Sequence, residues 1–98
     1  MVVVANRIFV AAGREADFEA RFRGRAHLVD RAPGFVRNEV LCPVTEGAPY
    51  VVMTHWQDEA SFRAWTASEA FREAHGQRAP ADMFAQPNQF EMHTVLAD

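Results

Sequence analysis

The first ten residues set the tightest limit on what this chain can fold into. From Val2 to Val10 the side chains alternate, with Val2, Val4, Asn6, Ile8 and Val10 on one face and Val3, Ala5, Arg7 and Phe9 on the other. β-Branched and apolar residues therefore occupy both faces of a single strand, which asks to be covered on both sides. With 98 residues there is room for one domain, residues 1–98, and for one layer of helices against one face of a sheet. Something else has to cover the second face.

The remaining elements follow from periodicity and punctuation. After the Ala11-Ala12-Gly13 turn, Phe18, Phe22, Arg25 and Val29 recur at spacings of four, three and four, which predicts a helix from about Arg14 to Asp30. Gly24 falls inside that helix and is expected to weaken it by about 0.8–1 kcal/mol relative to Ala. Pro33-Gly34 interrupts the chain, Phe35 to Cys42 reads as a second strand ending at Pro43, and Thr45 to Pro49 turns into a third, Tyr50 to Trp56. Asp58 and Ser68 are good N-caps for two short helices, one carrying Phe62 and Trp65, the other Phe71, Ala74 and His75, with Gly76 suited to stop the second. Gln77 to Pro87 holds two prolines and reads as a mobile loop, and Asn88 to Leu96 alternates as a fourth strand.

The order is β-α-β-β-α-β, an α+β, ferredoxin-like arrangement with a four-stranded antiparallel sheet and its helices on one face. The other face would expose more apolar surface than a soluble monomer usually tolerates. A second copy packed sheet against sheet is the expected cover, making a homodimer.

Composition narrows the function. The chain is 49% apolar with eight Phe, two Trp and one Tyr, too hydrophobic for disorder and too interrupted by charge to span a bilayer. A net charge of −3 has the wrong sign for holding nucleic acid. All ten basic residues are Arg, which excludes Schiff-base lysine chemistry and a P-loop. One cysteine, Cys42, excludes an internal disulfide, and the N-terminus lacks the pattern of a secretory signal, so a cytoplasmic location is expected. No G-x-G-x-x-G, Walker A, C-x-x-C, H-E-x-x-H or G-x-S-x-G is present, so any redox chemistry must take its electrons from outside.

Polar residues on apolar faces remain as candidates. Asn6 shares a strand face with Val4 and Ile8, where its amide either bonds a neighbouring backbone group or faces a ligand. Arg25, on the Phe18–Phe22–Val29 stripe, either snorkels to the rim or meets an anion. His75, four residues after Phe71, either complements the helix dipole or serves as an axial donor to haem iron. Trp65 and Phe62, three residues apart, are core aromatics on position alone. His27, His55 and His93 show no ligand spacing among themselves and read as structural or exposed, Cys42 reads as an inert, small core residue, and the Glu15/Glu19 and Glu69/Glu73 pairs read as solvated surface.

Asn6, Trp65 and His75 together resemble the Asn/Trp/His set of IsdG/MhuD-type haem-degrading monooxygenases, within the antibiotic-biosynthesis monooxygenase superfamily. The likeness extends through Arg21-Phe-Arg-Gly-Arg-Ala-His27, Ala32-Pro-Gly-Phe35, Val52-Met-Thr-His-Trp56, Phe62-Arg-Ala-Trp65 and Ala74-His75. The resemblance implies a dimeric α/β barrel with one haem per subunit, at once substrate and cofactor. It implies His75 as proximal iron ligand, Asn6 hydrogen-bonding the distal ligand, and Trp65 pressing on and ruffling the porphyrin. It also implies a pocket lined by Phe22, Phe62 and Phe71, with Arg25 near a propionate. The reaction so implied opens the macrocycle with O2 and electrons from a reductase, releasing iron and a linear tetrapyrrole. Two alternatives stay open: a cofactor-independent monooxygenase of a phenolic or polyketide substrate, and a non-catalytic haem-binding protein.

Overall fold

The computed structural model describes residues 1–24, 28–75 and 79–98. Along the chain they form β1 (Val2–Ile8), α1 (Glu15–Arg23), β2 (Phe35–Leu41), β3 (Tyr50–Trp56), α2 (Glu59–Thr66), α3 (Glu69–Ala74) and β4 (Gln89–Thr94), with short 3-10 turns at Leu28–Arg31 and Ala81–Met83. The strands make one antiparallel sheet in the order β2-β3-β1-β4, the ferredoxin-like arrangement expected from the sequence.

Local chemistry explains where α2 and α3 begin. Asp58, in extended backbone, accepts from the Ser61 amide at 2.8 Å, and Ser68 accepts from the Phe71 amide at 3.1 Å. Each side chain satisfies one of the amides that a first helical turn leaves unpaired. Gly34, at φ +81°, lets the entry to β2 pass directly under α2, where a Cβ would run into the Cβ and Oγ of Ser61.

On the helix-bearing face the core forms two clusters. Val2, Val4, Val29, Trp56 and Trp65 make the first, and Ile8, Phe18, Tyr50 and Met83 the second. The opposite face, which no described helix covers, carries Val3 and Ala5 half-buried beside an Arg7–Glu91 ion pair of 3.0 Å. His55 is only 6% exposed on this face, with its Nε2 3.0 Å from the Glu39 carboxylate.

Five expectations need correction. Cys42, read as a core residue, is exposed just past the end of β2. The first helix stops at Arg23, and Gly24 is its C-cap, with its N–H on the Ala20 carbonyl at 3.1 Å. The penalty for an internal glycine therefore does not arise. Val29 belongs to the Trp65 cluster and Phe18 to the other, so the apparent single stripe serves two cores. β1 ends at Ile8, and Val10 instead forms an isolated bridge with Phe84. The supposed loop is anchored over its described part: Met83 is 2% exposed, and backbone bonds run from Ala11 N to Met83 O at 2.7 Å and from Ala85 N to Phe9 O at 2.8 Å. Arg25, His27, Gly76 and Gln77, which carried sequence expectations, lie outside the described residues.

Candidate active site

The strand register places Asn6 on the floor beneath the helices. It stands between Val4 and Ile8 on β1, opposite Val52 of β3 and Phe90 of β4, and is half-buried. Val4 belongs to the first apolar cluster and Ile8 to the second, so the Asn6 amide marks the seam between them. Thr54 and Asn38, opposite each other on β3 and β2, lie in the next row along the sheet, the one Val4 occupies on β1.

One wall of the seam is aromatic and comes from α2 and α3. Trp65, 8% exposed, meets Phe71 edge-on with centroids 5.7 Å apart. Phe71 in turn stacks on the His75 imidazole at 4.1 Å and 29°. Phe62 packs edge-on against Trp56 at 5.8 Å and stacks on Phe90 at 6.1 Å. Such pairs hold ring positions more firmly than area burial alone. Phe22 stands on the other side of the seam, packed with Phe18 at 4.8 Å against the second cluster.

His75 follows the last residue of α3 as its C-cap and is exposed. Its Nδ1 lies 2.9 Å from the Phe71 carbonyl oxygen, and a carbonyl can only accept. In the neutral ring the proton then sits on Nδ1 and the lone pair on Nε2, the tautomer a metal-binding imidazole needs.

A cavity of about 280 Å³ lies beside this seam, lined by Phe18, Glu19, Phe22, Arg23, Val40, Cys42 and Tyr50. Phe22 is the one member of the expected site set that lines it; Asn6, Trp65 and His75 do not. Within it the Tyr50 hydroxyl donates to Glu19 Oε2 at 2.6 Å. That bond and burial push the phenol well above its ordinary pKa.

Of the seven residues singled out by the sequence, Trp65, Phe71 and His75 meet in one continuous set of ring contacts, and Phe62 joins a second through Trp56 and Phe90. Asn6 and Phe22 mark the floor and the opposite wall, and Arg25 lies outside the described residues. Sequence reasoning missed Phe90, Thr54 and Asn38. The alternation of β4 carried the signal for Phe90, but its position across from Asn6 depends on the register. Among the described residues no group of three or more His, Cys, Asp or Glu could hold a metal ion, and no helix is long and apolar enough to cross a membrane.

An antiparallel ferredoxin-like sheet with an amide on its floor and a Trp–Phe–His wall beside it makes this a small α+β domain of the ferredoxin-like class. Residues 1–77 match the antibiotic biosynthesis monooxygenase family, and the chain belongs to that family. It is 41% identical over 78 residues to the "Heme oxygenase (mycobilin-producing)" of Mycobacterium tuberculosis, covering 80% of this chain and 74% of the relative. Its fold is similar to that of the heme-degrader MhuD from the same organism, solved with two hemes in its active site, at a TM-score of 0.82 and 34% identity over 100% of this chain and 98% of the other. It is also similar to SnoaB, a cofactor-independent oxygenase from Streptomyces nogalater, at a TM-score of 0.73 and 27% identity over 99% of this chain and 94% of the other.

Proposed function

We propose that this chain is a haem-degrading monooxygenase, an oxidoreductase that binds haem as substrate and cofactor and opens its ring with O2 and external electrons, releasing iron and a linear tetrapyrrole. The observation that carries this reading is the His75 ring, whose Nδ1–H is tied to the Phe71 carbonyl at 2.9 Å while Nε2 remains open to an iron ion. The relative named as a mycobilin-producing heme oxygenase and the heme-bound MhuD structure support it.

Haem is a broad apolar disc with two carboxylates, and it needs an aromatic slot, one imidazole and a cation at the rim. When bound it supplies both the iron that activates O2 and the carbon skeleton that is oxidised. In this assignment His75 holds the iron through Nε2, Phe62 and Phe71 wall the slot, and Phe22 closes it from α1. Trp65, wedged against Phe71 at 5.7 Å, presses on the macrocycle and distorts it. Asn6 would offer its amide N–H from the floor to a small ligand bound by the iron. Arg25 neutralises a propionate.

The functional unit is a homodimer of single domains spanning residues 1–98, cytoplasmic, with the two uncovered sheet faces packed together and a reductase as electron donor. Val3, Ala5, Val51 and Met53 give that face its apolar centre.

The test is a hemin titration followed by turnover. A Soret shift saturating at about one haem per subunit, lost in His75→Ala, is expected. With ascorbate or a reductase, O2 and catalase, the Soret band should decay to a tetrapyrrole of defined mass. A persistent band would mean haem storage without catalysis. The second reading, cofactor-independent oxidation of a phenolic or polyketide substrate, is favoured by the likeness to SnoaB and by the small cavity beside Phe22. It predicts no saturable Soret shift.

A further inference from the structure

Two helical arginines are tied to an acid one turn back, Arg23 to Glu19 at 3.2 Å on α1 and Arg63 to Glu59 at 2.6 Å on α2. Arg72 on α3 is not. The position four residues before it holds Ser68, whose hydroxyl is committed to the helix start, accepting from the Phe71 amide at 3.1 Å and donating to the Trp65 carbonyl at 2.6 Å. Among the described residues no acid pairs with the Arg72 guanidinium, not even Glu69, three residues back on the same helix.

The helix carries this unpaired cation to the rim of the aromatic wall. The His75 N–H bonds the Phe71 carbonyl at 3.0 Å, so the last turn runs on through His75, and residues 72 and 75 stand about 5–6 Å apart at Cβ. Phe71 is half-buried and meets Trp65, whereas Arg72 and His75 are exposed. An iron ion held by His75 would therefore lie at the edge of the wall, with Arg72 beside it on the water side.

Haem brings two carboxylates, and the assignment above gives a cation, Arg25, to only one of them. The other would have to break an existing ion pair to recruit Arg23 or Arg63. Arg72 has no such pair to give up, and its planar fork can take both oxygens of a carboxylate.

We propose that Arg72 is a haem-binding residue, holding the second carboxylate of the disc from the same helical turn that supplies the iron ligand. Arg72 and His75 then fix one edge and the centre of the macrocycle, and with them its rotation about the iron–imidazole axis. This rests on the haem reading above, and deepens it by naming what orients the disc.

The test titrates wild type, Arg72→Gln and Arg72→Lys with hemin and with hemin dimethyl ester, whose carboxylates are blocked and uncharged. Hemin affinity is expected to fall by about 5-fold in Arg72→Gln, the upper end for an exposed ion pair. It should fall less in Arg72→Lys, which keeps the charge without the fork. Both variants should bind the ester as the wild type does, and the Soret position of the hemin complexes should stay unchanged. Equal hemin affinity in Arg72→Gln and wild type would overturn the proposal. So would a loss of the same size with the ester, since Arg72 would then act through the fold of α3 and not on a carboxylate. No Soret shift in the wild type with either compound would sink the haem reading itself, and this proposal with it.

Discussion

The His75 imidazole donates from Nδ1 to the carbonyl of Phe71 at 2.9 Å and lies on that residue's ring at 4.1 Å. One residue thus fixes both the tautomer and the plane of the ring, leaving Nε2 as the free end. His75 is exposed, so its removal should cost the fold less than about 1 kcal/mol. His75→Ala is therefore expected to melt within a few degrees of wild type yet to give no saturable Soret shift with hemin. Parallel melting and titration curves check this; a large fall in stability would show that the ring is a core element rather than a donor.

Tyr50 and Glu19 make the fold sensitive to alkali. The 2.6 Å bond to the carboxylate holds the phenol protonated in the native state above its ordinary pKa of 10.0. Because the native pKa is raised, this contribution is complete below pH 10 and is lost as pH rises above it, when the unfolded chain releases a proton that the native one keeps. Denaturant unfolding from pH 8 to about pH 11 should show stability falling with pH above about 10. Tyr50→Phe should lose about 1–2 kcal/mol at neutral pH and flatten the alkaline slope. An unchanged slope in the variant would remove Tyr50 as its source.

Much of this fold is legible in the sequence because its signals are local. The alternation of Val2–Ile8 and Tyr50–Trp56, and the capping side chains of Asp58 and Ser68, each act within a few residues. Trp65, Phe71 and His75 share one wall because helical spacing and a short α2–α3 junction bring them there. What escaped was nonlocal. Plain alternation puts Asn38 on the face opposite Phe35, but the register shifts between Phe35 and Arg37, and this bulge brings Asn38 onto the floor with Phe35 and Trp56. Gly24 fits a helix interior by spacing alone, and only the cap bond to Ala20 shows it to be an end. Met83 lies in a proline-containing stretch without periodicity, yet it anchors the second cluster through contacts with residues far away in sequence.

Gly34 offers a test of the packing that positions α2. Alanine there must adopt φ +81° and also meets the Cβ and Oγ of Ser61. Together these should cost about 2–4 kcal/mol, combining the left-handed backbone with local overpacking. Ser61→Gly removes the colliding atoms but not the backbone strain, so the double variant should recover part of the loss. A double-mutant cycle in urea measures this coupling; strict additivity would mean that the close approach of β2 to α2 relaxes freely.

Asn6 and Trp65 should separate binding from chemistry. Trp65 is nearly buried within the first cluster, so Trp65→Ala should lose about 3–5 kcal/mol and with it the shape of the slot. Trp65→Phe keeps a ring there and should bind hemin while turning it over more slowly. Asn6 is half-buried on the floor and carries little of the core, so Asn6→Ala should melt close to wild type. With the iron held by His75 as proposed, hemin affinity in Asn6→Ala should change only a few-fold. A hydrogen bond that strengthens as charge develops on the distal ligand acts mainly in the transition state, and its loss lowers turnover more than binding. Single-turnover decay of the Soret band, with catalase present, should slow by about 10-fold or more. Equal losses of affinity and rate would instead make Asn6 part of the wall that holds the disc, with the distal hydrogen bond supplied elsewhere on the floor.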